Sequence, residues 1–142
     1  MSLLSSNAMS SISLEIYYLF LITVFCTLLW IPYVLERFVR IGIKETCGYN
    51  DKSKNIAQWS SRARSAHKNL IENLPLFAIL IIIIHLFELN NFQTQTGSII
   101  FFYSRILHYF CYLFAIPWLR TGFFLTSWLG LLIISIQIFN IN

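Results

Sequence analysis

The chain has 142 residues, 57% of them apolar and 17% aromatic, with only 11% charged and a formal net charge of +4. That charge content excludes an ordinary soluble domain, in which about 25% of residues are charged. It also argues against nucleic-acid binding, because the basic residues accompany no recognised binding fold and no aromatic platform outside the apolar segments.

Crossing a bilayer takes about 20 mostly apolar residues in a helix, because every backbone polar group must find its partner within the segment. The segments 14–35, 69–89, 99–118 and 121–139 meet that requirement. The alternating pattern of a membrane β-barrel is absent, and Ile81, Ile82, Ile83 and Ile84 form a continuous apolar run. The expected architecture is an all-α membrane protein, a four-transmembrane-helix bundle in one domain over residues 1–142.

The first span, 14–35, is preceded by residues without Lys or Arg and ends without a small-residue cleavage pattern. It reads as a retained helix, not as a signal peptide. The long connection 36–66 follows. Of the ten Lys and Arg residues, eight fall between Arg37 and Lys68, and none lies between Asn90 and Ser98. This asymmetry puts the basic loop in the cytoplasm, in contact with anionic lipid, and both termini on the opposite side. Thr46 to Ser53 carries turn chemistry, whereas Asn55 to Ala66 reads as a helical extension of the second span.

In the second span, 69–89, Ser65, Lys68, Asn69, Glu72 and Leu76 recur at spacings of three and four and so share a helix face. Glu72 reads as the one acid clearly inside an apolar span, where an unpartnered charge costs about 3 kcal/mol. Lys68 offers an i, i+4 partner at the headgroup boundary. Pro75 removes an amide donor and predicts a bend just beyond Glu72. In the third span, 99–118, Arg105, His108 and Tyr112 share a face, and Arg105 lies deep. An Arg105 to Glu72 ion pair, between helices or between subunits, is the economical solution.

The spacing places the turn before the fourth span, 121–139, at Leu119 and Arg120. Arg120 then precedes the first helical turn, where Thr121 and free amides would join it around an anion, or it is an interfacial Arg beside Trp118. Cys26 and Cys111 read as buried filler and Cys47 as a loop residue, with no ligand spacing for a metal. A Ser-His-Asp triad lacks material, since Asp51 is the sole aspartate, and Walker, dinucleotide and His-Glu-x-x-His patterns are absent.

Taken together, the runs Arg64 to Phe77, Ser104 to Tyr112 and Pro117 to Thr121 resemble the MAPEG family, the membrane-associated proteins in eicosanoid and glutathione metabolism, and most closely its bacterial members. The resemblance implies a homotrimer of four-helix protomers in a bacterial inner membrane. Glutathione would bind between subunits as co-substrate, with no metal, and be transferred to a lipophilic electrophile or used to reduce a lipid peroxide. By motif position, Lys68, Asn69 and Glu72 would hold polar groups of glutathione. Arg105, His108 and Tyr112 would line the same site, and Arg120 would stabilise the thiolate with Thr121 beside it. A basic residue at the end of the first span, Arg37 or Arg40, would reach a neighbouring subunit. Ser65 stands where catalytic members carry Arg, and Phe124 where some carry Tyr. A non-catalytic membrane scaffold of the same fold is the alternative.

Overall fold

The computed structural model describes residues 12–48 and 56–140; residues 1–11 and the Tyr49 to Ser53 part of the turn-rich segment lie outside the described residues. Every regular element among the described residues is a helix: α1 (Leu14–Leu28), α2 (Trp30–Ile41), α3 (Ile43–Cys47), α4 (Gln58–Leu86), α5 (Phe92–Leu113) and α6 (Pro117–Phe139). The stretch Leu14–Ile41, α4 and α6 are each long and apolar enough to cross a membrane. The protein is an integral membrane protein.

The first span is interrupted at Leu29, whose amide bonds the Cys26 carbonyl three residues back. Pro32 is the cause, because it has no N–H to offer the Leu28 carbonyl one turn earlier. By contrast, α4 runs through Pro75 as one helix and incorporates the expected extension from Gln58 onward.

α5 differs from the expected third span at both ends. It begins at Phe92 because Asn91 and Thr94 form a reciprocal capping box: the Thr94 amide donates to Asn91 Oδ1 at 3.0 Å and the Asn91 amide to Thr94 Oγ1 at 2.9 Å. It stops at Leu113, where the Ile116 amide reaches the Cys111 carbonyl and the Ala115 amide that of Tyr112. These two bonds form a Schellman closure with Ala115 in the left-handed position at φ 59°. Pro117 then opens α6. The turn therefore lies at Phe114 to Ile116, not at Leu119 and Arg120. At 22 residues α5 is nearly as long as α6, at 23, but less apolar, and it is not among the helices apolar enough to cross a membrane. It buries Thr94, Ser98, Ser104, Arg105 and His108 inside the bundle.

Pairings across the bundle set the topology. Arg62 meets Leu113, Asn69 meets Arg105, and Phe77 stacks on Phe101 with ring centroids 4.2 Å apart, so α4 and α5 are antiparallel. Phe25 to Tyr109 and Tyr18 to Phe102 make α1 parallel to α5. Gly97 faces Gly130 where α5 crosses α6: a Cβ on Gly97 would stand 2.8 Å from the Gly130 carbonyl, and one on Gly130 would stand 2.7 Å from that of Gly97. Only glycine permits this approach. The apolar core, including Ile22, Leu70, Phe77, Ile81, Phe101 and Ile134, fills the space between the helices.

Glu15, and not Glu72, is the fully buried acid of this bundle. Its Oε1 accepts from the Thr94 hydroxyl of the capping box, while Asn91 Nδ2 donates to Gln137 Oε1 at 3.2 Å. This network ties α1, α5 and α6 together at the end opposite the basic loop.

Candidate functional site

α4 presents its outer face at Ser65, Lys68, Glu72 and Leu76 and its inner face at Ala66, Leu70, Asn73 and Phe77. Asn69 sits at the border, half-buried. The polar stripe is thus divided by helical phase. Its outer members turn away from the bundle, and among the described residues Lys68 and Glu72 pair only with each other, 3.9 Å apart and well exposed. Within the chain, the expected Arg105 to Glu72 pair does not form.

Arg105 is 1% exposed and donates from Nη1 to Asn69 Oδ1 at 2.9 Å. The rings of Phe101 and Phe124 flank its guanidinium, with centroids 5.4 and 5.3 Å away. An amide oxygen and two π-faces replace the carboxylate that spacing had nominated. Nε and Nη2 meet no acceptor among the described residues. Two donors of a buried cation are thereby left for an anionic group, and such donors are costly to leave unmade.

The line of polar groups continues toward the α5–α6 turn. The His108 ring lies 5.8 Å from that of Tyr112 and 6.0 Å from that of Phe124. The Arg120 guanidinium stands over Tyr112, 4.6 Å from its centroid. Arg120, Tyr112, Cys111 and Arg62 line an open pocket of about 160 Å³ bordered by the Ala115 to Pro117 turn. Because α6 begins at Pro117, Arg120 lies within the first helical turn and its amide bonds the Ile116 carbonyl. The Thr121 hydroxyl donates to its own helix at Pro117, at 3.1 Å. Neither the Arg120 amide nor the Thr121 hydroxyl is a spare donor, so anion binding here falls to the guanidinium groups.

The fold therefore brings together Asn69, Arg105, His108, Tyr112 and Arg120, while Lys68, Glu72 and Thr121 face outward. Arg62, on the expected helical extension, was not among the expected site residues. It holds its place by donating from Nε to the Leu113 carbonyl at 3.0 Å, satisfying an orphan group at the end of α5. Its position seven residues before Asn69, on the same helical face, is the signal that would have found it. Phe124, noted only as a departure from a tyrosine, is the ring that links Arg105 to His108. At the end of the first span, Arg40 is bound to Glu36 at 2.7 Å, whereas Arg37 makes no ion pair among the described residues.

Comparison with family models matches residues 16–140 to the MAPEG family. No curated protein and no solved structure matches the chain.

Proposed function

Because the chain belongs to the MAPEG family, we propose that it is a glutathione-binding membrane enzyme, a transferase or peroxidase acting on lipophilic electrophiles or lipid peroxides. Membership supports a glutathione-related or eicosanoid-related function at the level of the family. The observation that carries the finer reading is Arg120, poised over Tyr112 at a cavity with Arg62, in line with the buried Arg105 and its two unspent donors.

In this reading Arg105, Asn69 and His108 hold the polar groups of glutathione, and Arg120 lies beside its sulfur. A neighbouring guanidinium lowers a thiol pKa and raises the fraction of thiolate, which is the nucleophile. The thiolate attacks an electrophilic carbon and forms the C–S bond as the displaced electron pair departs with the leaving group. With a peroxide, it attacks one oxygen, the O–O bond breaks, and the departing alkoxide takes a proton to become an alcohol. The resulting sulfenic acid condenses with a second glutathione to give the disulfide and water. The lipophilic partner has an apolar groove of about 320 Å³ lined by Leu76, Ile79, Leu80, Trp128, Leu131 and Leu132. Trp128 lies 6.4 Å, ring to ring, from Phe124, which joins the groove to the polar line.

The outward stripe of Ser65, Lys68 and Glu72 supports the homotrimer. Charged groups on the outer face of a membrane helix need protein beside them, and a second copy would return Glu72 and Lys68 to the site. The same reading counts α5 as a span beside the three apolar ones, which makes four, sets the basic loop in the cytoplasm of a bacterial inner membrane, and puts both termini on the opposite side. The alternative is a non-catalytic scaffold, favoured by Ser65 and Phe124 and by the packing of Arg105 on Asn69 and two rings. Equilibrium dialysis of labelled glutathione against the protein in nanodiscs tests the choice. The enzyme reading predicts saturable binding, and the scaffold reading none.

A further inference from the structure

We infer that the Phe124 ring is a gate over Arg105: it covers the guanidinium while the site is empty and swings aside to admit a carboxylate. The inference rests on the reading above for the identity of the ligand, and not for the motion. Arg105 Nε and Nη2 are both shielded from solvent and meet no acceptor among the described residues. These two nitrogens lie on one edge of the planar group, so their N–H bonds run side by side, and that fork matches the two oxygens of one carboxylate. A donor pair shaped for a ligand yet closed to it requires a wall that moves.

Phe101, Asn69 and Phe124 pack against the guanidinium, and their freedom differs. Phe101 is fully buried and stacked on Phe77, with centroids 4.2 Å apart and 14° between the ring planes. Turning it would break a close stack inside the packed core. Asn69 is held at both ends: its side chain accepts from Arg105 Nη1 at 2.9 Å, and its carbonyl accepts from the Asn73 side chain at 2.8 Å. Phe124 is only half-buried, and its ring contacts are loose, at 5.3 Å to Arg105, 6.0 Å to the His108 ring and 6.4 Å to the Trp128 ring. Opening it forfeits one cation–π contact, which a bidentate carboxylate pair more than replaces.

α6 supplies the space for this movement. Phe124 and Trp128 are one helical turn apart and share a face of α6. Trp128 is itself partly exposed and forms a wall of the apolar groove of about 320 Å³. A ring that turns toward Trp128 therefore stays in apolar surroundings, and the movement brings no aromatic surface into water. The groove then sets an order of events. A lipophile already seated beside Trp128 holds Phe124 closed over Arg105, so the thiol enters first. The ring held open by its carboxylate becomes part of the wall against which the lipophile packs.

The test reads the gate as hydrogen exchange at the Arg105 Nε–H, followed by nuclear magnetic resonance on arginine-labelled full chain in nanodiscs. Arg105→Lys identifies the signal by removing it. Phe124→Ala is expected to exchange about tenfold faster than wild type or more, because local opening no longer limits access. Phe124→Tyr, which keeps the ring, is expected to stay as protected as wild type. Where Phe124→Ala does not fold, Phe124→Leu takes its place with the same expected direction. Glutathione, and acetate as a bare carboxylate, are then titrated in parallel, and each is expected to shift the wild-type signal saturably. A response to acetate without one to glutathione would keep the gate and remove the thiol reading. Equal exchange in wild type and the variant without the ring, or no response to either compound, would overturn the inference.

Discussion

Asn69 shows what residue spacing can and cannot decide. It was legible as a polar position near the mouth of the second span, but its role as the acceptor for Arg105 was not. Periodicity groups Asn69 with Glu72 on one stripe without saying which edge of that stripe faces the neighbouring helix. The rings of Phe101 and Phe124, far apart in the chain, then complete a setting in which no carboxylate is required. Glu15 was passed over for the same reason, since its partner Thr94 lies 79 residues away. Removing the amide acceptor by Asn69→Ala leaves the Arg105 Nη1 donor unmade in a buried position. This is expected to cost about 1 to 3 kcal/mol of stability. Asn69→Asp, which keeps an acceptor, is expected to lose less, and thermal unfolding in one detergent compares the two.

At the scale of elements, the helices themselves were plain in the sequence and their ends were not. Apolar length gave four segments, but the α5–α6 turn was displaced because the Schellman closure at Ala115 has no glycine to announce it. An alanine in the left-handed region carries a steric cost that glycine avoids. Ala115→Gly is therefore expected to stabilise the protein by up to about 1 kcal/mol, seen as a higher thermal midpoint. The crossing of α5 and α6 predicts the opposite for Gly97→Ala. Its added methyl would meet the Gly130 carbonyl at 2.8 Å and the Ile134 side chain at 2.7 Å. Separating two packed helices is expected to cost about 1 to 3 kcal/mol, measured in the same way. Neither glycine was recognisable beforehand, because close approach depends on which two helices cross.

At the scale of the whole molecule, the membrane class and the family were legible in composition and in three motifs, whereas the outward facing of Lys68, Glu72 and Thr121, three of the eight expected site residues, was not. Lys68 and Glu72 are exposed in one chain yet sit in the same motif as the inward-facing Asn69. The proposed second copy, completing the site, would account for both. Glu72→Gln is then expected to leave the thermal stability of a dissociated protomer within about 0.5 kcal/mol, since an exposed ion pair contributes little. The same substitution is expected to weaken glutathione binding in the assembled protein. Light scattering in detergent, read beside the dialysis, separates the two effects: the account expects a trimer in both wild type and variant.

The central claim is that Arg120 stabilises a glutathione thiolate at the head of α6. The most direct measurement is the ultraviolet absorbance of the thiolate as glutathione is added to the purified, assembled protein. The account predicts that wild type produces the thiolate signal at neutral pH and that Arg120→Ala, still trimeric and still binding glutathione, loses it. Equal thiolate formation in wild type and Arg120→Ala would contradict it.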